Sequence, residues 1–170
     1  MAGNEVDTLL GSLERQRAYI AWKCGKLDSA GLSQRLAPST MTLGGLLKHL
    51  ALVEDDWFSV KLLGAPQHAP FDSVDWDADR DWEWHSADDD QPDDLMTLWE
   101  QACERSRANV SRVLGGEQGL DTLAQFTWQS GATPNLRRMM TDMIEEYARH
   151  VGHADLIRES IDGLVGEDPE

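Results

Sequence analysis

Four long stretches of the sequence carry apolar residues at every third or fourth position, and this spacing constrains the fold more than any other feature. They cover about residues 6–27, 42–63, 92–114 and 135–162. Because an α-helix turns once in about 3.6 residues, such a spacing places the apolar side chains on one face. Alternating strand patterns are nearly absent, so the sequence predicts an all-α fold with four main helices.

The ends of these stretches carry residues that are typical of helix boundaries. Thr42 is expected to cap the second helix, and Gly64 follows its end. Asp93 and Asp94 place negative charge at the positive end of the third helix dipole. Gly163 is expected to end the fourth helix.

The second and third helices are joined by a long connection, residues 64–91. Structureless loops of this length are uncommon in compact domains and usually have a function. Trp76, Trp82 and Trp84 are expected to fix this connection over the helices or over the mouth of a site. Residues 72–94 contain eleven acids and one base, which is typical of a solvated surface. A hard-cation site is the alternative, although the glycine and terminal glutamate of a calcium loop are missing.

Length and charge limit the class of protein further. A chain of 170 residues is expected to form one domain, spanning residues 1–170. Its formal net charge of -16 argues against binding to nucleic acid or to an anionic membrane. Neither a signal peptide nor a membrane-spanning run is recognisable. Its two cysteines form no CxxC pair, which favours a cytoplasmic location.

One face of the fourth helix carries side chains that can bind metal. Glu146 and His150 are four residues apart and His153 follows three later, so all three lie on one stripe. A further histidine, His49, lies in the second helix. At 100° per residue, these groups fall at the border between core and solvent. If the two helices pack together, His49 completes a three-ligand metal site.

Less specific interpretations of the same residues stay open at this point. A histidine at a core edge is often a hydrogen-bonded structural residue. Asp142 with Arg138, or Glu146 with Arg149, fits an ordinary surface ion pair. Against this, a glutamate near the core is costly without a partner, and a cation shared with two imidazoles offsets that cost.

Two longer runs resemble a known family. Residues 43–58 (LGGLLKHLALVEDDWF) are similar to the second helix of the DinB-like superfamily, in its actinobacterial branch related to mycothiol-dependent maleylpyruvate isomerase. Residues 144–159 (IEEYARHVGHADLIRE), continuing to Gly163, resemble the last motif of that branch. Gln16-Arg17 and Pro38-Ser39 fit as well.

The resemblance implies a DinB-like four-helix bundle with a long crossover between helices 2 and 3, and one divalent metal at one end. The ligand set it implies is His49, Glu146 and His150. Three protein ligands leave a position open, which in related transferases is thought to take the sulfur of a low-molecular-weight thiol. Relatives commonly have a histidine where this chain has Asp142. An acid there is expected either to strengthen cation binding or to shift the preference toward harder ions such as manganese.

The resemblance therefore implies a metal-dependent transferase or isomerase in which the metal activates mycothiol or a similar thiol. Zinc is the expected metal, with nickel and manganese as alternatives, and the substrate is expected to be a small molecule. The predicted roles of His153, Asp142 and Arg149 are support of the ligands or contact with substrate. A homodimer is also compatible with the family. The alternative functions are a metal-dependent hydrolase and a non-catalytic bundle that binds a metal or a ligand.

Overall fold

The computed structural model describes residues 3–166 and shows an all-α fold over that part of the chain. Four long helices form the body: α1 (Glu5–Cys24), α3 (Leu43–Asp55), α5 (Pro92–Leu114) and α6 (Leu136–Asp162). Two short helices, α2 (Ser29–Leu32) and α4 (Trp82–His85), lie in the connections. The predicted fold class is confirmed. Within the described residues, no helix combines the length and the apolar character needed to cross a membrane.

Side-chain caps and one glycine define the helix ends. The Thr42 hydroxyl accepts a hydrogen bond of 3.0 Å from the Gly45 N–H at the start of α3, as predicted. Gly163 ends α6 in the left-handed conformation that glycine adopts most readily. At its own end, α3 continues into a π-helical segment, Asp56–Lys61, so the helical stretch reaches nearly to Gly64.

The first helix ends earlier than predicted. It stops at Cys24 because Gly25 is extended and Lys26 has a φ of 62°. Leu27 still packs against the core, but from the connection rather than from the helix. Because Leu27 is apolar and continues the helical spacing, the sequence pattern placed it inside the helix.

Ion pairs and close contacts at the helix ends show the direction of each helix. Arg137 at the start of α6 pairs with Glu5 at the start of α1, so these two helices are parallel. Gly44 lies against Leu95, which brings together the starts of α3 and α5. Because α3 and α5 run the same way, the chain must return along the bundle between them. This explains the long crossover, residues 64–91.

The crossover is more ordered than its sequence indicated. It contains α4 and two 3-10 turns, Phe71–Ser73 and Ser86–Asp89. The three tryptophans pack against the core, which confirms their predicted role in fixing the crossover. On α3, the Lys48 ammonium lies 4.3 Å from the Trp82 ring centroid and 2.5 Å from Asp90.

The core lies between the four long helices. α1 packs along α6 and α3 packs along α5, and α3 and α6 meet in the middle of the bundle. Side chains from all four helices are almost fully buried there: Leu13, Ile20, Leu46, Leu50, Ala102, Met143 and Tyr147. The contact between α3 and α6 positions the candidate site, because the histidine stripe of α6 faces α3 there.

Candidate metal centre

Three side chains from α3 and α6 meet at one point. His49 extends from α3, and Glu146 and His150 lie one turn apart on α6. One ligand atom from each residue lies within 4.8 Å of the other two. Glu146 Oε1 is 3.3 Å from His49 Nε2 and 3.1 Å from His150 Nε2. We call these three residues the cluster.

The cluster lies at the edge of the core. The His150 side chain is 8% exposed, that of His49 19%, and that of Glu146 30%. This gradient agrees with the position between core and solvent that the helical spacing predicted. The cluster therefore reaches solvent mainly through Glu146.

The charges of the cluster are strongly coupled. Hydrogen bonds to His150 and His49 hold the pKa of Glu146 well below its usual range. Burial of His49 disfavours its charged form, but hydrogen bonds to Glu146 and Glu83 outweigh this and raise its pKa above the ordinary value. In the metal-free protein, the two carboxylates thus stabilise the protonated form of His49, in the place where a cation would otherwise balance them.

A residue of the crossover orients His49. Its Nδ1–H donates a hydrogen bond of 3.1 Å to Glu83 Oε1, whose side chain is 7% exposed. This contact lies on the imidazole edge opposite Nε2, so Nε2 is directed at Glu146. Histidines that bind metals usually donate their second N–H to such a carboxylate or carbonyl group. Glu83 Oε2 is buried without a hydrogen-bond partner, which makes this position costly for folding.

Trp84, the next residue, covers the histidines. Its ring stacks on His49 with centroids 4.8 Å apart, and it lies 6.2 Å from His150. The indole also lies directly on α3 at Gly45. A Cβ at Gly45 would be 2.6 Å from Trp84 Cε3, so only glycine allows this approach.

Comparison with known proteins shows the family of this chain. A family model described as mycothiol-S-transferase matches residues 8–163. The chain belongs to the mycothiol-S-transferase family. No curated protein and no solved structure matches the chain with significance. The predicted membership of a DinB-like, mycothiol-related family is confirmed, and membership implies a small-molecule substrate.

The remaining predicted residues of this mycothiol-S-transferase family member differ in their relation to the cluster. His153 Nδ1 lies 3.4 Å from His150 Nδ1, where it can help to orient that ring. Burial and the neighbouring His150 and Arg149 lower the pKa of His153, which favours its neutral form. Arg149 itself is exposed. Asp142 pairs with Arg138 at 2.7 Å, which is the ordinary ion pair that the sequence left open.

The other two histidines of the chain, His68 and His85, pair with aspartates outside the cluster. His68 Nδ1 lies 2.6 Å from the buried Asp55, and the exposed His85 lies 2.9 Å from Asp79. Neither belongs to the cluster.

A buried polar network supports α6 next to the cluster. Glu54 on α3 is fully buried and accepts hydrogen bonds from Arg17 Nε and Nη2, at 2.8 and 2.7 Å, and from the Tyr147 hydroxyl, at 2.7 Å. Tyr147 directly follows Glu146 in the sequence. The network therefore ties α1, α3 and α6 together and sets the rotation of α6 that directs Glu146 and His150 toward His49.

Sequence reasoning missed Glu83, Trp84 and Glu54 as residues that shape the site. Glu83 is one acid among eleven in its region, and nothing in its spacing links it to His49. Trp84 was expected to fix the crossover over the helices or over the mouth of a site, but its contact with His49 was not predictable. Glu54 lies one turn beyond Leu50 on the second helix, and its partner Arg17 was noted only as part of the family resemblance.

Proposed function

We propose that this protein is a metal-dependent transferase that uses mycothiol or a closely related thiol. One divalent metal would bind to His49 Nε2, Glu146 and His150 Nε2. The observation that carries this proposal is the meeting of two imidazole nitrogens on one carboxylate oxygen at an accessible edge of the core. Membership of the mycothiol-S-transferase family supports the choice of thiol.

The donor set favours zinc. Two nitrogens and one oxygen leave a fourth position open, as in catalytic zinc sites. Glu146 and Glu83 both contact His49, so a divalent ion would balance their two negative charges. Nickel and manganese remain alternatives, because nitrogen and oxygen ligands bind several first-row ions.

The protein supplies no reactive thiol of its own among the residues described. Cys24 and Cys103 are buried and free, and burial raises the pKa of Cys24 to about 12. Burial and the nearby Glu54 carboxylate likewise raise the pKa of Cys103. The nucleophile must then come from the cosubstrate. A bound divalent ion would keep its sulfur as the thiolate at neutral pH.

The residues around the ion would position the reactants. Glu83 would hold the Nε2 edge of His49 toward a bound ion, and Trp84 would shield the two histidines from water on one side. In the transfer, sulfur forms a bond to an electrophilic carbon as the leaving group departs with its electron pair. The thiol proton passes to solvent.

We propose the cytoplasm as the location, because buried free cysteines are typical of a reducing compartment. The homodimer stays a prediction.

The test is a conjugation assay with zinc-loaded protein, mycothiol and a fluorogenic alkyl halide. We expect conjugation that depends on both zinc and thiol and is lost in His49→Ala. His68→Ala is the matched control, because it removes a histidine outside the cluster, and it should retain activity. Ester hydrolysis without thiol would instead indicate a metal-dependent hydrolase. Metal binding without either activity would indicate a non-catalytic binding protein.

A further inference from the structure

A cavity of about 450 Å³ lies beside the cluster, between the segment that precedes α3 and the short helix α4. Its volume falls in the range of small-molecule sites, roughly 300–1,000 Å³. The residues that line it come from these two segments: Arg35, Thr40, Met41, Asp81, Trp84 and His85.

Trp84 contacts both this cavity and the cluster. It lines the cavity, and its ring stacks at 4.8 Å on His49. It also rests on Gly45, one turn before His49, so the cavity lies toward the start of α3. A molecule in the cavity would therefore contact the same side chain that stacks on His49.

Two other cavities do not share this relation. They lie between α1 and α5, with volumes of about 430 and 360 Å³. Apart from Met140 of α6, their lining comes from α1 and α5 alone. Neither contains a residue of the crossover, and so neither borders Trp84.

The lining of the cavity beside Trp84 suits a neutral molecule with many hydroxyl groups. Arg35 pairs with Asp88 through Nη2, at 2.6 Å, and a guanidinium has five N–H donors in total. Asp81 offers acceptor oxygens, and Thr40 offers a hydroxyl that both donates and accepts. One aromatic face with dispersed polar groups can pack the C–H face of a sugar ring and bond its hydroxyls. A lipid chain would leave these polar groups unpaired.

We propose that this cavity binds the sugar portion of the thiol cosubstrate. The thiol arm would then pass the edge of Trp84 to reach the cluster. This inference rests on the proposed function and adds to it the place where the cosubstrate is recognised. Arg35 and Asp81 would bond the hydroxyls, and Trp84 would pack against a ring.

The direct test uses a neutral probe without the thiol, N-acetylglucosaminyl-inositol, in which the sugar nitrogen is an amide as in mycothiol. This fragment is titrated calorimetrically into zinc-loaded protein. We expect the fragment to bind the wild type. Arg35→Ala and Asp81→Ala should each weaken binding about tenfold, since each removes hydrogen bonds from a charged group. Asp77→Asn, an exposed change in the crossover outside the cavity, should bind normally.

Kinetics with intact mycothiol provide the second readout. In Arg35→Ala and Asp81→Ala, the KM for mycothiol should rise about tenfold while kcat and zinc content stay near wild type, because uniform binding is lost. A merely structural role would lower kcat or zinc content as well. Failure of the fragment to bind, or unchanged binding and KM in both variants, would overturn the proposal.

The binding and conjugation assays together distinguish failure of the sugar site from failure of the proposed transferase function. Zinc-dependent conjugation without fragment binding would refute only the location of the sugar site. Fragment binding that is sensitive to Arg35 and Asp81 but unaccompanied by conjugation would support the sugar site and refute the transferase.

Discussion

Replacement of Glu83 by alanine separates support of the metal site from support of the fold. In the native protein, Glu83 Oε1 accepts the Nδ1–H of His49 at 3.1 Å, and this directs Nε2 at Glu146. Loss of a carboxylate that supports a metal ligand typically lowers metal affinity 10–100-fold. That range corresponds to about 1.4–2.7 kcal/mol of binding free energy.

The same change should affect the metal-free fold much less. Glu83 Oε2 is buried without a partner, and such an oxygen costs about 1–3 kcal/mol. Its removal offsets the loss of the Oε1 hydrogen bond, so we expect the free energy of unfolding to change by about 1 kcal/mol or less. Glu83→Gln keeps an acceptor for His49 Nδ1–H and should retain more of the zinc affinity than Glu83→Ala.

The assay is competition for zinc with a chromophoric chelator, alongside chemical unfolding of the metal-free proteins. The expected order of zinc affinity is wild type, Glu83→Gln, then Glu83→Ala. Equal zinc affinity in the wild type and Glu83→Ala would refute this role of Glu83, because His49 would then need no support from the crossover.

Two further substitutions and two changes of solution conditions probe the cluster and its surroundings. Gly45→Ala places a Cβ 2.6 Å from Trp84 Cε3, so the indole must move, and we expect altered tryptophan fluorescence with weaker zinc binding. Glu54→Gln leaves the buried Arg17 paired only with the partly exposed Glu14 and should lower the free energy of unfolding by about 3 kcal/mol, measured by denaturant titration. Zinc at a hundredfold excess over its Kd should stabilise the fold by about 2.7 kcal/mol, measured by the same titration. Zinc affinity should fall as the pH falls, and the decline should begin above pH 6.5, because the pKa of His49 is raised and a proton competes with the metal at Nε2.

Local sequence patterns were sufficient to predict the main helices and part of the cluster. The cap at Thr42, the end at Gly163 and the stripe of Glu146 and His150 depend on residues within a turn or two of one another. Helical periodicity carries that information directly. The residue pattern alone indicated a contact between His49 and α6 only if the second and fourth helices pack together. The family resemblance implied that contact.

The remaining part of the site depends on contacts between distant segments. Glu83 reaches His49 across 34 residues, through a crossover whose path follows from the parallel arrangement of α3 and α5. Glu54 and Arg17 are 37 residues apart. No sequence periodicity relates such pairs. In the sequence, Glu83 and Glu54 therefore cannot be distinguished from acids on the solvated surface.

Metal content of the purified protein, measured by elemental analysis, is the decisive test of the cluster as a metal site. We expect one divalent ion per chain in the wild type and none in His49→Ala or His150→Ala, while His68→Ala retains the ion. Absence of metal from zinc-supplemented wild-type protein, or full occupancy in both cluster variants, would contradict the proposed metal site.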